Sequence, residues 1–367
     1  MKKPKPITRT VTKVLTIGGA TQDIFIMHED PQMLRFYSKE HDKEFLLFEE
    51  GTKIEIDKLN YYTGGGATNS ATSFSRLGFN TSVICKTGHD CQADLVLKKL
   101  IQENIDTSYI TQSEKLLTGT SIIIPSLTGE RTVLAYRGAN TDLQKSDMPE
   151  NLIKTMDQLY ITSLSGQSSK LLPYITQLAK KHNIPVATNP GISQLAAGAQ
   201  ELIKSLQYID IFILNKHEAT ELMHSLVKSK VKPKEFCFSL EGYFCEILQR
   251  GPKIVVVTDG ANGVYVAHED TIYFHPSLPA KVALGKTIST LGAGDSFGSC
   301  FTACIASGLS IQDSMLRGIV NSSSVISYLD AKTGLLTKNQ LEKAAQEIST
   351  KHMSQSPLIS PSKSPRE

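Results

Sequence analysis

Residues 289–297 read STLGAGDSF and lead into a helix-compatible run over Ala293–Ser307, after a mixed, strand-like run over Lys281–Ile288. Glycines 292 and 294 let the backbone turn tightly at a helix start. Unpaired N–H groups and the positive end of the helix dipole attract an anion there. The turn Gly292, Ala293, Gly294 is therefore read as an anion hole. Asp295 falls in the first helical turn, where an acid is favoured simply as a cap. Beside a phosphate-binding turn the same carboxylate can also take the proton of a hydroxyl as that hydroxyl attacks phosphorus.

Working outward, a second glycine-rich stretch, Gly64-Gly65-Gly66-Ala67-Thr68-Asn69, stands directly before a helical pattern that ends at Leu77-Gly78. Successive glycines permit close backbone approach to a ligand, and the Asn69 amide offers both a donor and an acceptor to a polyol. Apolar β-branched runs alternate with helix-period segments along the rest of the chain. Val14–Gly18, Ser82–Thr87, Gln158–Thr162, Pro185–Thr188, Ile211–Leu214 and Ile254–Thr258 read as strands; Ala67–Leu77 and Asp90–Glu103 read as helices, the latter with Asp90 as N-cap. This is the rhythm of an α/β fold with a mostly parallel central sheet covered by helices on both faces. Residues 44–57 and 119–136, with a turn at Ser126–Glu130, break the rhythm and read as paired antiparallel strands, a small β lid over a cleft. Residues 230–250 look inserted, with no legible role.

Composition bounds the function. The 367 residues are 40% hydrophobic and 20% charged, and 39 Lys and Arg against 36 Asp and Glu leave a net charge of +3. So weak a field gives no reason to expect a nucleic acid or an anionic membrane as partner. No apolar run is long enough for a membrane span and no cleavage site follows the basic start, so the cytoplasm is the expected location. Six cysteines form no CxxC pair and are expected to be reduced, mostly buried thiols, Cys300 and Cys304 sharing a packing face. Residues 1–10 form a basic tail and 351–367 a Ser/Pro-rich one, flanking a single domain over 11–350.

These motifs resemble those of the ribokinase-like, or PfkB-type, carbohydrate kinases, from about Lys13 to about Ser349. STLGAGDSF is similar to the family's D-T-x-G-A-G-D. GGGATNSATSFSRLG followed by KTGHD is similar to its G-G-x-x-x-N…A-x-x-L-G…G-x-D, and Asn215-Lys216-His217-Glu218 to its N-x-x-E. The resemblance implies a kinase that moves the γ-phosphoryl group of magnesium-bound ATP to a hydroxyl, presumed primary, of a sugar or sugar-like molecule. It makes Asp295 the base and Gly292, Ala293 and Gly294 the donors around the transferring phosphate. It places Asp23, Gly64, Gly65 and Asn69 on the acceptor. Asn215, Thr258, Gly260 and Gly263 fall to the nucleotide, and Glu218 to magnesium through water. Arg131 or Arg137 of the lid are candidates to meet a phosphorylated acceptor. The family's first acid, linked there to a monovalent cation, is Ser289 here, which weakens a hard-cation site and leaves potassium dependence open. Nucleosides and sugar phosphates are alternative acceptors within the family, and a non-catalytic sugar- or nucleotide-binding regulator is the alternative outside it. A homodimer that pairs lid edges is an open possibility.

Overall fold

The strands follow from runs that can bury both faces. Leu15, Ile17, Leu159, Ile161, Phe212 and Leu214 join one apolar cluster, whereas their neighbours Val14, Tyr160, Ile211 and Ile213 join another. Alternate side chains thus feed two helix layers, one on each side of a sheet. The computed structural model describes residues 13–27, 33–36, 43–125, 131–196, 199–227, 237–278, 284–285 and 287–353.

In chain order the strands begin with β1 (Lys13–Ile17), β2 (Thr21–Met27), β3 (Met33–Phe36), β4 (Lys43–Leu46), β5 (Lys58–Gly64) and β6 (Asn80–Ile84). There follow β7 (Lys86–Thr87), β8 (Thr111–Gln112), β9 (Gly119–Pro125), β10 (Arg131–Tyr136) and β11 (Gln158–Ile161). The last are β12 (Val186–Thr188), β13 (Ile211–Asn215), β14 (Ile254–Thr258), β15 (Val264–His268) and β16 (Thr271–His275). Eight form the large sheet in the order β16-β15-β14-β13-β12-β11-β1-β6, parallel from β6 through β14 and antiparallel beyond. Four form a flap sheet in the order β10-β9-β2-β5, which is antiparallel except where β2 meets β9.

The expected body is present to within a residue or two. The run Ser82–Thr87 is split into β6 and β7 at Cys85, and Asp90 caps the helix Cys91–Gln102 by accepting from the Ala93 N–H at 2.9 Å. The flap differs from the sequence reading. The strand within 44–57 pairs with Met33–Phe36 in a separate ribbon, residues 47–57 contain no strand, and the flap's outer strand is β5. Residues 119–136 do supply an antiparallel pair, Arg131 opposite Pro125 and Tyr136 opposite Thr120, while the turn 126–130 lies outside the described residues. No strand forms among the described residues of 281–288; Ile288 and Ser289 instead donate to the Ile326 carbonyl. Part of the stretch 230–250 is a helix, Leu240–Leu248, capped by Ser239 and sinking Tyr243, Phe244 and Ile247 into the core. Three cysteines, Cys91, Cys237 and Cys245, are exposed rather than buried, whereas Cys300 and Cys304 share one apolar cluster as expected. Residues 1–10 and 354–367 lie outside the described residues, whereas 351–353, expected in the tail, end the helix Lys338–Met353.

Candidate active site

The anion-hole turn sits where the helix Ala293–Ala306 begins. Gly292 takes the left-handed cap position at φ 76°, and a Cβ there would lie 2.3 Å from the Ala331 Cβ, so glycine is required twice over. A Cβ on Gly294 would meet nothing within 4 Å, which leaves that face open. The Ser296 and Ser322 hydroxyls both donate to the Ala293 carbonyl, and the Asn321 amide donates to the Ser296 carbonyl, so the helix Ile311–Val325 braces the turn. Ser289 is buried, and its hydroxyl accepts from the Leu291 N–H at 3.2 Å. That oxygen is spent on the turn itself.

Asp295 Oδ2 accepts from Asn69 Nδ2 at 2.9 Å, which joins the two glycine-rich motifs across 226 positions of sequence. Burial pushes the Asp295 carboxyl above its ordinary value, while the Asn69 hydrogen bond and the nearby Lys332 ammonium pull it back. The result is a desolvated carboxylate with a raised proton affinity, the character a general base needs.

On the acceptor side Asp23 projects from β2 and is 6% exposed. Thr21 Oγ1 donates to its Oδ1 at 2.9 Å, and burial raises its pKa. A Cβ on Gly64 would lie 1.9 Å from Asp23 Oδ2, and one on Gly65, at φ 94°, 2.5 Å from the Gly19 carbonyl oxygen. These two positions are glycine because two chain segments and a carboxylate occupy the space of a side chain. The buried Asn69 Oδ1 has no partner among the described residues. Asn140 fixes the same loop by a paired bond, accepting from the Ala20 N–H and donating to the Ala20 carbonyl. Of the two flap arginines, Arg137 is exposed, whereas Arg131 Nη1 donates to Thr290 Oγ1 at 2.5 Å and links β10 to the anion-hole turn.

The residues expected to meet the nucleotide lie at the carboxyl ends of β13 and β14, where Asn215 and Thr258 are register partners. Ligands of open α/β sheets collect at this edge. Asn215 and Glu218 cap one another: Glu218 N–H donates to Asn215 Oδ1 at 2.9 Å and Asn215 N–H to Glu218 Oε2 at 3.0 Å. Lys216 Nζ meets Asp259 Oδ2 at 2.8 Å and so ties this motif to the turn carrying Gly260 and Gly263. Gly263, at φ 114°, is packed against the His275 carbonyl, while Gly260 faces open space. Among the described residues no three His, Cys, Asp or Glu side chains converge on a metal. His89 and His217 are exposed and face Glu114 and Glu221.

One site residue escaped the sequence reading. Lys332 is 2% exposed, and its Nζ donates to the Thr63 carbonyl at 2.6 Å and to Thr68 Oγ1 at 2.9 Å. Burial lowers its pKa to about 8 even though Asp23, Asp330 and Asp295 oppose the fall.

This arrangement has known counterparts. The pattern of the pfkB family carbohydrate kinase matches residues 25–338. A ribokinase from Staphylococcus aureus is 29% identical over 258 residues, covering 69% of this chain and 78% of that one. An ATP-dependent 6-phosphofructokinase from Thermoanaerobacterium thermosaccharolyticum is 25% identical, covering 77% and 84%. In three dimensions the Arabidopsis thaliana ribokinase complexed with ribose and ATP superposes with a TM-score of 0.73 at 18% identity, covering 92% of this chain and 99% of that one. The chain therefore belongs to the pfkB family and is an ATP-dependent carbohydrate kinase.

Proposed function

We propose that the acceptor is a free sugar or close polyol and that Asp295 is the base that activates its hydroxyl. The observation that carries this reading is the Asn69–Asp295 hydrogen bond, which sets a partly buried carboxylate beside both the acceptor-facing glycines and the anion-hole turn. Asp23 and the unpartnered Asn69 oxygen accept two acceptor hydroxyls and hold a third toward Asp295. Asp295 takes that hydroxyl's proton as its oxygen bonds to the γ-phosphorus. The bond from phosphorus to the ADP oxygen breaks, and ADP leaves with the electron pair. The N–H groups of the Gly292–Gly294 turn meet the charge that spreads over the transferring oxygens. Glu218 would hold a magnesium ion through water, and that ion would supply charge neutralisation for the phosphates. The flap, joined to the turn through Arg131, excludes water that would otherwise hydrolyse ATP.

The test is phosphorus NMR of the chain with magnesium-ATP and D-ribose or a small panel of hexoses. A new phosphomonoester resonance on the acceptor supports the reading; ADP and inorganic phosphate alone would overturn it.

One observation favours a second reading, a sugar phosphate as acceptor: the Arg131 guanidinium stands within a bond of Thr290 on the cleft side of the flap. Under that reading Arg131→Ala raises the KM for fructose 6-phosphate about tenfold or more and leaves the KM for D-ribose unchanged. We also propose a homodimer. Leu59, Tyr61, Leu134 and Tyr136 share one face of the flap and are each at least 40% exposed, an apolar surface that a second copy would cover. Sedimentation at micromolar concentration decides it, monomer being the contrary result. No helix among the described residues is long and apolar enough to cross a membrane.

A further inference from the structure

Lys332 has no motif around it that the reaction requires, yet it is among the largest fully buried side chains. Its ammonium has three protons and three acceptors: the Thr63 carbonyl at 2.6 Å, Thr68 Oγ1 at 2.9 Å and Thr63 Oγ1 at 3.2 Å. Thr63 lies near the end of flap strand β5, and Thr68 in the first turn of the helix Gly66–Arg76. Between them lie the glycines that must adopt one shape for Asp23 to fit. Thr68 Oγ1 in turn donates to the Gly64 carbonyl at 2.6 Å. One residue beyond Thr68, Asn69 holds Asp295.

The lysine is itself held. Asp330 Oδ2 accepts from the Lys332 and Thr333 N–H groups at 3.1 and 3.0 Å, and Arg76 donates to the Lys332 and Leu335 carbonyls while paired with Glu103. Charge points the same way. Asp23, Asp295 and Asp330 all act on the ammonium from different parts of the fold, with Lys99 opposing from the helix Cys91–Gln102. A cavity of about 360 Å³ beside Thr63, Asp330 and Lys332 leaves this corner otherwise loosely filled. Burying an ammonium is costly unless every proton is satisfied and opposite charge is near, and both conditions are met here.

We propose that Lys332 is a positioning residue for phosphoryl transfer, pinning the end of the flap to the Asn69-bearing helix and supplying an internal positive charge to Asp23 and Asp295. Its action is exerted through the chain. It fixes the glycine turn on which Asp23 rests and the helix turn that orients Asp295. An exposed lysine would do neither.

Amide hydrogen exchange and steady-state rates on the full chain test this with Lys332→Met and Lys332→Arg. In Lys332→Met, amides between residues 59 and 70 are expected to exchange about tenfold faster while those of the β11–β14 body keep wild-type rates. The kcat for the acceptor that wild type uses is expected to fall about a hundredfold, with the dissociation constant of ATP unchanged. Lys332→Arg keeps the charge but cannot present a point donor to the same three acceptors, so it should lie between Met and wild type in both readouts. Unchanged exchange over 59–70 in a folded Met variant would overturn the pin. Arg and Met variants with equal losses would overturn the charge. If Lys332→Met does not fold, Lys332→Arg decides alone: wild-type exchange and kcat overturn the proposal. The catalytic arm rests on Asp295 as the base, but the exchange arm does not, so the two failures are distinguishable.

Discussion

The acceptor and nucleotide halves of the cleft are built differently. On the acceptor side Asp23, Asn69 and Lys332 are 6%, 6% and 2% exposed, and the bonds from Asn69 to Asp295 and from Lys332 to Thr63 and Thr68 join distant segments. On the nucleotide side Asn215 and Gly260 are exposed and the bonds between Asn215 and Glu218 span only three residues. The first half is a desolvated polar network, in which displacing one member disturbs the others; the second is a set of local caps at strand ends, each nearly self-sufficient. Specificity and rate should therefore concentrate on the acceptor side, and the nucleotide side should tolerate change.

That contrast can be broken by substitution. Asp295→Asn should lower kcat by about 10² to 10⁴ while ATP binding, followed by calorimetry, is retained. Gly64→Ala forces a Cβ to within 1.9 Å of Asp23 Oδ2, and a displacement of that size should raise the acceptor KM about a hundredfold without changing the KM for ATP. Asn69→Ala removes a hydrogen bond that favours ionised Asp295. Because the base must be ionised, activity is lost as pH falls through its already raised pKa. This variant should move that acid limb to higher pH and cost about tenfold in rate at neutral pH. An unmoved limb would remove Asp295 from the rate law. Smallest of all, Lys216→Met breaks an ion pair whose lysine is exposed, and should change the KM for ATP by no more than about threefold. A larger change would erase the contrast between the halves.

Much of this was legible in the chain because each motif announces its own backbone need. STLGAGDSF requires a glycine cap before a helix, and the strands β1, β11, β13 and β14 are short apolar runs with turns behind them. The flap was less legible. β5 reads KLNYYTG, with neither a β-branched run nor clean alternation, whereas of the more apolar EFLLFEE nearby only Glu44–Leu46 form strand, paired with the ribbon strand Met33–Phe36. Exposure explains this, since β10 shows five exposed residues in six and little core pattern can be written into such a strand. Lys332 was illegible for the opposite reason. Its partners Thr63 and Thr68 stand 269 and 264 positions away, and nothing in DAKTG marks a lysine that the fold buries. The glycine triplet hinted that something pressed on that turn, but not what.

The central claim is that this cleft transfers phosphate to an acceptor hydroxyl. The most direct measurement is the initial rate of ADP release from magnesium-ATP by the wild-type chain, without acceptor and with D-ribose, hexoses, fructose 6-phosphate or a nucleoside. The account expects release that is slow alone and is stimulated strongly by one sugar class. Equal release with and without every acceptor, from a chain that binds ATP, would contradict it.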